Sequence, residues 1–331
     1  MFNTISTNEK DFTLTLLKDR TKPIREDSRD VEQYRNITIK KLPSNGQVEV
    51  CIGNTRIISQ IYAKVTKPFI DHPNEGMIVF TIDTNHLKPN ADYNQCNETL
   101  NEFRTKFNHI LEKSLKESKA LDANSLCIVP GKLIWKIVID VNIINYDGNA
   151  IDAAFLGALA SWCSFKIPFL RYNSSTNHVV SDGKCIHLSI LHKPFCVTFG
   201  MFYNGNCKAV CDPTWKEEKV MNGYLSVTAN VFGEVCYMQM TSSILVSREH
   251  MEDLLVVVNA KVKELNGKLK EFLKEVENEE KMKMDVDVDG DMHDGDGNGN
   301  GGIEDWKSVK NVNKEINLNI RKHFDVVTYK L

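Results

Sequence analysis

The chain contains the segment Ile139-Asp-Val-Asn-Ile-Ile-Asn-Tyr-Asp-Gly-Asn-Ala-Ile-Asp-Ala-Ala-Phe-Leu-Gly-Ala-Leu159, which predicts a strand, a tight turn and a helix in succession. Its first part belongs to a β-branched, apolar run from Trp135 to Ile144 that is typical of a buried strand. The turn is predicted over Asn145-Tyr-Asp-Gly-Asn149, because Gly148 can adopt a positive φ. The helix that follows is rich in alanine and glycine, and Asn149 is its predicted N-cap. Such short side chains allow this helix to lie very close to a neighbouring element.

Further strands and helices are predicted on both sides of this segment. Before it, amphipathic helices are predicted over residues 4–19 and 97–120. Strands are predicted there over 34–42, 47–52, 55–66 and 77–84, with Asn45-Gly46 as a two-residue hairpin turn. After it, strands are predicted over 185–191, 195–203, 206–212, 223–231 and 234–241, with turns at Asn204-Gly205 and Phe232-Gly233. An apolar stripe of period 3.6 predicts a long helix from about 248 to 282.

This order of elements predicts an α+β fold, since strands followed by a helix occur twice. We expect two pseudo-repeated halves, each a sheet plus a helix, that share one core over residues 1–282. The first half covers about 1–165 and the second about 166–282, which ends with the long helix. A linker over 283–302, acidic and rich in glycine and asparagine, is predicted to be disordered. The C-terminal tail, 303–331, is either a short docking motif or a continuation of that linker.

The composition is that of a soluble globular protein. Of the 331 residues, 42% are hydrophobic and 26% charged, and no apolar run is long enough to predict a transmembrane helix. The N-terminal residues lack the pattern of a secretory signal. Nine scattered cysteines without a Cys-x-x-Cys motif favour free thiols in the cytosol or nucleus. Because nine acidic residues and two lysines lie within 277–302, the remainder is slightly basic, which is compatible with nucleic acid binding.

No metal site and no cofactor are predicted. Cys207 and Cys211 are close in sequence, but no second pair of cysteines or histidines completes a zinc set. The acidic segment from Asp285 to Asp296 has the spacing of an EF-hand loop, with Gly290 at its sixth position. Its twelfth residue is not glutamate, and glycines and asparagines stand where the exiting helix belongs. A flexible acidic segment is therefore the favoured interpretation.

A set of short motifs carries a family resemblance. In chain order they are Arg25-Glu-Asp-Ser-Arg29 with Tyr34-Arg35, Gly53-Asn-Thr-Arg-Ile57, Ile110-Leu-Glu-Lys-Ser-Leu-Lys-Glu-Ser118, Asn145-Tyr-Asp-Gly-Asn-Ala-Ile-Asp-Ala-Ala154, Asp212-Pro-Thr-Trp-Lys-Glu-Glu218 and Asn222-Gly-Tyr-Leu-Ser-Val-Thr228. Together they resemble the RNase PH-like ring subunits of the eukaryotic RNA exosome, of the polymyositis/scleroderma-autoantigen type. Any one motif is weak evidence, whereas the set in this order is fairly specific.

The resemblance implies a fold, an assembly and a role in RNA metabolism. The fold is that of RNase PH, and the assembly is a six-membered ring of related subunits around an RNA channel. The implied partners are other RNase PH-like ring subunits, cap subunits with S1 and KH modules, RNA and associated hydrolytic ribonucleases, with no membrane. The implied role is support of 3′-to-5′ RNA processing and degradation, including rRNA maturation and mRNA turnover. The implied location is the nucleus, including the nucleolus, and the cytoplasm.

Phosphorolysis needs an oriented phosphate and carboxylates near the scissile bond. Active relatives carry two aspartates six residues apart, and the matching positions here are Glu218 and Tyr224. Tyr224 cannot replace an aspartate, although Glu218 retains a carboxylate. Lys113 and Lys116 match the arginines that hold phosphate, and lysine lacks the guanidinium fork. We therefore expect no catalytic residues and an inactive subunit; the alternative is an active phosphorolytic 3′-to-5′ exoribonuclease of RNase PH type.

The basic residues Arg104, Lys113 and Lys116 are the predicted RNA-binding positions. They lie on the predicted helix 97–120, and the two lysines belong to the family's phosphate region. The alternative is a solvated helix face on which lysines near the C-terminus complement the helix dipole. For the carboxylates Asp147 and Asp152, the favoured interpretation is structural, with Asp147 bonding within its own turn. A third possibility for the whole chain is an unrelated α+β RNA-binding protein.

Overall fold

The computed structural model describes residues 5–18, 24–84, 93–173, 178–203, 207–241 and 246–289. The helices are α1 (Thr7–Lys18), α2 (Tyr93–Leu111), α3 (Ala150–Ser164), α4 (Trp215–Val220) and α5 (Arg248–Asp289). The strands are β1 (Ile37–Lys41), β2 (Gln47–Ile52), β3 (Thr55–Thr66), β4 (Met77–Asp83), β5 (Cys127–Val129), β6 (Leu133–Asn145), β7 (Lys166–Asn173), β8 (His178–His187), β9 (Phe195–Tyr203), β10 (Cys207–Cys211), β11 (Gly223–Ala229) and β12 (Val235–Thr241). None of the helices over these residues is long and apolar enough to cross a membrane.

The first half is built on a six-stranded sheet. Its order is β1-β2-β3-β6-β4, and β5 pairs with β6. All pairs are antiparallel except that of β4 with β6. Along β6 the residues alternate between buried and half-buried, because successive side chains point to opposite faces of a strand. The apolar run that predicts a buried strand is therefore the long strand next to β3 and β4.

Helix α3 lies between this sheet and the sheet of the second half. It packs against β2, β3 and β6 on one side and against β9 on the other. A Cβ atom added at Gly157 would lie 3.3 Å from the Cβ atom of Ser59 and 3.7 Å from a methyl group of Val50. The prediction that small residues let this helix approach a neighbour closely is confirmed.

The second half is a four-stranded antiparallel sheet in the order β10-β9-β11-β12. Helix α5 packs on β9, β11, β1 and α3 and so contacts both halves. Its buried residues recur at helical spacing, as the apolar stripe predicts: Leu254, Val258, Val262, Leu265, Leu269, Phe272 and Val276. These residues join the buried residues of both sheets in one hydrophobic core, which confirms the predicted α+β fold with a shared core.

Two predictions about local structure are corrected. A strand over 185–191 is predicted, but β8 ends at His187, and its hairpin partner β7 is missed. Pro168 within β7 removes a backbone donor, which weakens the strand pattern. The helix predicted over 97–120 changes after Leu111 into a π-helical segment, Glu112–Glu117. Asn149 is the N-cap residue of α3, as predicted, although it has a φ of 50° and its side chain makes no capping hydrogen bond.

The boundaries at the C-terminus also differ from the prediction. Helix α5 runs to Asp289, beyond the predicted end at 282 and into the predicted linker. The remainder of that linker and the tail 303–331 lie outside the described residues, as does the turn predicted at Asn204-Gly205.

Candidate functional site: a cleft around Glu218

A cleft of about 250 Å³ opens between α2, the turn before α3 and the segment that contains α4. Its wall includes both positions at which the family resemblance places catalytic aspartates, Glu218 and Tyr224. The same cleft is lined by residues of α2, such as Phe103 and Phe107, and by Tyr146 of the turn. The structure therefore brings together the last motif and the strand–turn–helix motif that sequence analysis singled out.

Glu218 faces this cleft from a short helix with a well-defined start. The capping box of α4 joins the side chain of Thr214 and that of Glu217 to backbone N–H groups. Glu218, the next residue, accepts hydrogen bonds from the Tyr146 hydroxyl and, at 2.7 Å, from the backbone N–H of Asn149. Burial raises the pKa of Glu218 above its ordinary value despite these hydrogen bonds. Both carboxylate oxygens thus already have protein donors.

No metal centre is evident around this carboxylate. Across the described ranges, no cluster of three or more histidine, cysteine, aspartate or glutamate side chains is placed to hold a metal ion. The position matched to the second aspartate is the phenol of Tyr224, which offers no carboxylate for a metal or for proton transfer.

The arginines of the opening motif hold the cleft-forming segments together. Arg35 donates to the carboxylate of Asp212 at 2.8 and 2.9 Å and to the backbone oxygens of Asp147 and Gly148. Arg29 donates to the same carboxylate at 2.8 Å. Burial alone would raise the pKa of Asp212, but the hydrogen bonds and charge of Arg35 lower it below its ordinary value. Asp212 therefore stays ionised as the centre of an arginine clamp.

A second, fully buried ion pair lies beside this clamp. Arg25 donates to the carboxylate of Glu217 at 2.9 and 2.6 Å and to the backbone oxygens of Cys211 and Asp212. Its guanidinium holds the chain just before α4 and α4 itself in one position. Arg25, Arg29 and Arg35 belong to the opening motif of the sequence, from which no role could be assigned to them. The signal in the sequence was that the arginine-rich opening motif and the acidic motif Asp212–Glu218 carry complementary charges.

The carboxylates Asp147 and Asp152 have different direct partners and do not form an acidic pair. Asp147 accepts from the side chain of Asn54 at 3.1 Å and lies 3.6 Å from Arg35, so it bonds outside its own turn. The predicted bonding within the turn is wrong, because Asn54, in the turn between β2 and β3, and Arg35, just before β1, supply the partners. Asp152 is buried, and it accepts from the Tyr34 hydroxyl, the Asn149 side chain, and the backbone and hydroxyl of Thr198.

The three predicted RNA-binding residues lie elsewhere. Lys113 pairs with Glu117 at 2.7 Å and Lys116 with Glu112 at 3.2 Å, both on the π-helical segment. Arg104, on α2, donates to the hydroxyl of Thr84 at 3.0 Å. None of the three lines the cleft, whose cationic residues in the described part of the chain are Lys106 and Lys219. The structure therefore does not bring the positions matched to phosphate-holding arginines to Glu218.

Two family models match the chain. One describes the 3′ exoribonuclease family, domain 1, over residues 33–168, and the other describes domain 2 of that family over 192–257. The chain belongs to the 3′ exoribonuclease family of RNase PH type, in its exosome-subunit branch. This membership confirms the resemblance drawn from the sequence motifs.

Curated relatives in this branch are named as one particular exosome component. The exosome complex component rrp45 of Schizosaccharomyces pombe is 36% identical over 243 residues, which cover 73% of this chain and 81% of that protein. The exosome complex component RRP45 of Homo sapiens is 30% identical over 280 residues, which cover 84% of this chain. The match covers only 61% of that human relative.

Solved structures share the fold. An archaeal exosome core matches with a TM-score of 0.65 and 23% identity, covering 80% of this chain and 96% of that one. An Archaeoglobus fulgidus exosome with RNA bound to the active site matches with a TM-score of 0.66 and 23% identity, covering 79% and 97%. Likeness at this identity establishes the RNase PH-like fold, as predicted.

Proposed function

We propose that this chain is a non-catalytic ring subunit of the RNA exosome that supports 3′-to-5′ RNA processing and degradation. Its relatives are exosome components, and its fold is that of exosome cores. Its partners are other RNase PH-like ring subunits, S1/KH cap subunits, RNA and associated hydrolytic ribonucleases. It acts in the nucleus, including the nucleolus, and in the cytoplasm, on rRNA maturation and mRNA turnover.

The proposed lack of catalysis is supported by the residues that occupy the two matched catalytic positions in the cleft. Its one matched carboxylate, Glu218, is already engaged by Tyr146 and Asn149, and the other matched position is Tyr224. Orienting a phosphate for attack requires a guanidinium fork or an equivalent cradle, and Lys113 and Lys116 are turned to glutamates on their own helical segment. We therefore expect that this subunit does not cleave RNA.

Ring membership is tested by native mass spectrometry of the tagged chain purified from its own cells at moderate salt. We expect one copy of this chain in a complex with several different RNase PH-like and S1/KH chains. A homohexamer or a lone monomer would contradict the proposal and would favour the active phosphorolytic alternative.

The absence of phosphorolysis is tested with the purified chain, single-stranded RNA, inorganic phosphate and Mg²⁺. We expect no release of nucleoside diphosphates, because neither the second carboxylate nor the phosphate cradle is present. The matched control is Glu218→Ala, which should behave like the parent chain. Phosphate-dependent release that Glu218→Ala abolishes would show that the cleft is an active site.

RNA contact through the π-helical segment is tested in the assembled complex. Replacing Lys113 and Lys116 together by glutamate should weaken RNA binding and lower the dependence on salt, since each lost phosphate contact changes the log–log slope by about 0.7. The matched control is the double replacement Lys263→Glu plus Lys270→Glu on exposed positions of α5, which changes the charge equally. If both double variants protect RNA as the parent does, the two lysines are a solvated helix face.

A further inference from the structure

Strand β12 is an edge of the second-half sheet. It pairs with β11, and no other strand of the described residues pairs with it. Along an antiparallel strand the backbone groups point alternately to the two sides, so about half of the N–H and C=O groups of β12 point away from β11. Over its seven residues, a length of about 24 Å, this edge therefore offers a row of donors and acceptors to a further strand.

The sequence of β12 contains none of the residues that protect a free edge. Exposed edge strands commonly carry lysine or proline, or another segment covers them. The other edge of the same sheet, β10, carries Lys208, and the N–H group of Cys211 donates to the oxygen of Val31 at 2.7 Å. In contrast, Val235-Cys-Tyr-Met-Gln-Met-Thr241 has no charged residue and no proline. This composition is typical of a strand that another strand covers permanently.

Three half-exposed apolar side chains follow this edge on one face of the sheet. Val235, Met238 and Met240 are 47%, 48% and 44% exposed. The register places them opposite three residues of β11 that are 0% exposed: Ala229, Val227 and Leu225. A bulge in this pairing keeps Val235 on the same face as the two methionines. The apolar layer of the sheet therefore continues to its edge and ends there, half in solvent.

We propose that, in the assembled ring, β12 pairs with an extended strand of a neighbouring RNase PH-like subunit. The incoming strand extends the sheet β10-β9-β11-β12 by one strand and bonds the outward N–H and C=O groups of β12. Every second side chain of that strand is apolar and packs against Val235, Met238 and Met240. This pairing rests on the proposed ring function and deepens it, because it assigns the edge at which one neighbour binds.

The chemistry of the edge suits a permanent protein partner. RNA is bound through cations that neutralise phosphates, and β12 carries none. Permanent interfaces are more apolar than transient ones, which fits an edge without charged residues. A ring of related subunits needs two different contact surfaces on each subunit, because its contacts are head-to-tail. β12 fits one of these surfaces, whereas pairing of β12 with its own copy would give a two-fold dimer.

Hydrogen–deuterium exchange tests the backbone contact without any substitution. The full chain is compared alone and in the complex purified from its own cells, whose composition native mass spectrometry reports. We expect the amides of 235–241 to exchange about tenfold more slowly in the complex, because the outward N–H groups gain acceptors. Equal exchange in a complex that contains this chain overturns the pairing and leaves the ring function intact. A chain found in no complex overturns both.

Photo-crosslinking identifies the chain that covers β12. With p-benzoylphenylalanine in place of Met238, we expect crosslinked peptides from an RNase PH-like subunit other than this chain. Crosslinks only to an S1/KH cap subunit, to RNA, to a second copy of this chain or to its own residues after Asp289 overturn the proposal.

A charge placed at the edge supplies an independent measurement. Met240→Lys should lower incorporation of the tagged chain into the complex about tenfold or more, because the added strand would bury the lysine without a partner. Met282→Lys is the matched control, at a position of α5 that is 68% exposed, and it should be incorporated as the parent chain is. Circular dichroism of the isolated variants checks that both fold. Full incorporation of Met240→Lys, or equal losses for the two variants, contradicts the proposal.

Discussion

Replacing Gly148 by alanine is expected to destabilise the folded chain by about 3 kcal/mol or more. Gly148 has a φ of +87°, a conformation that costs an alanine roughly 1–2 kcal/mol. An added Cβ atom would also lie 2.5 Å from backbone atoms of Pro213, Thr214 and Trp215. These atoms belong to the segment that begins α4 and cannot rotate away as a flexible side chain would. Overpacking of this kind costs a further 1–3 kcal/mol or so.

The measurement is the midpoint of urea unfolding, followed by circular dichroism, for the variant and the parent chain. Gly131→Ala is the matched control, because Gly131 also has a positive φ, +72°, but an added Cβ atom would meet nothing within 4 Å. The control should lose only the backbone part, about 1–2 kcal/mol. Equal losses at both positions would show that the turn does not press against the start of α4.

This contact explains why sequence analysis could predict part of the site and not the rest. The turn can be predicted from the sequence because Asp147-Gly148 is a turn dipeptide, and the glycine can adopt the positive φ that the turn requires. The clamp beneath it joins Arg35 to Asp212, far apart in the chain, and no local pattern reports such a pair. The position of Asn149 at the start of α3 was predicted, but its lack of a side-chain cap was not, since the amide donates to Asp152, three residues on, and to the distant Asp212.

In the fold, too, elements with a local sequence pattern were predicted, whereas those that depend on a distant neighbour were not. Periodic patterns over long segments, such as that of α5, predicted their elements because one face is buried along the whole length. The hairpin of β7 and β8 was missed because its pairing is set by a neighbour and Pro168 interrupts its pattern. In the site, the motif match placed Glu218 and Tyr224 in one cleft. It did not predict that Lys113 and Lys116 pair with glutamates one helical turn away.

Replacing Glu217 by glutamine is expected to cost about 3–5 kcal/mol of folding free energy. Its carboxylate neutralises Arg25, which is 1% exposed and therefore too deeply buried for bulk solvent to replace that partner. Removal of one member of a buried ion pair leaves an uncompensated charge, which is far more costly than the pair itself is stabilising. Urea unfolding of the variant and the parent measures the loss.

The neighbouring residue provides the control. Glu218→Gln should change the stability by less than about 1 kcal/mol, because burial already raises the pKa of Glu218 and a neutral amide still accepts from Asn149. The two variants make the same chemical change at adjacent positions of one short helix, so helix propensity cancels between them. A large loss of stability for Glu218→Gln, with a small loss for Glu217→Gln, would show that Glu218 and not Glu217 is the carboxylate that holds the fold. The expected order instead assigns Glu217 to holding the fold, and it leaves Glu218 as a cleft carboxylate that the fold does not need in its ionised form.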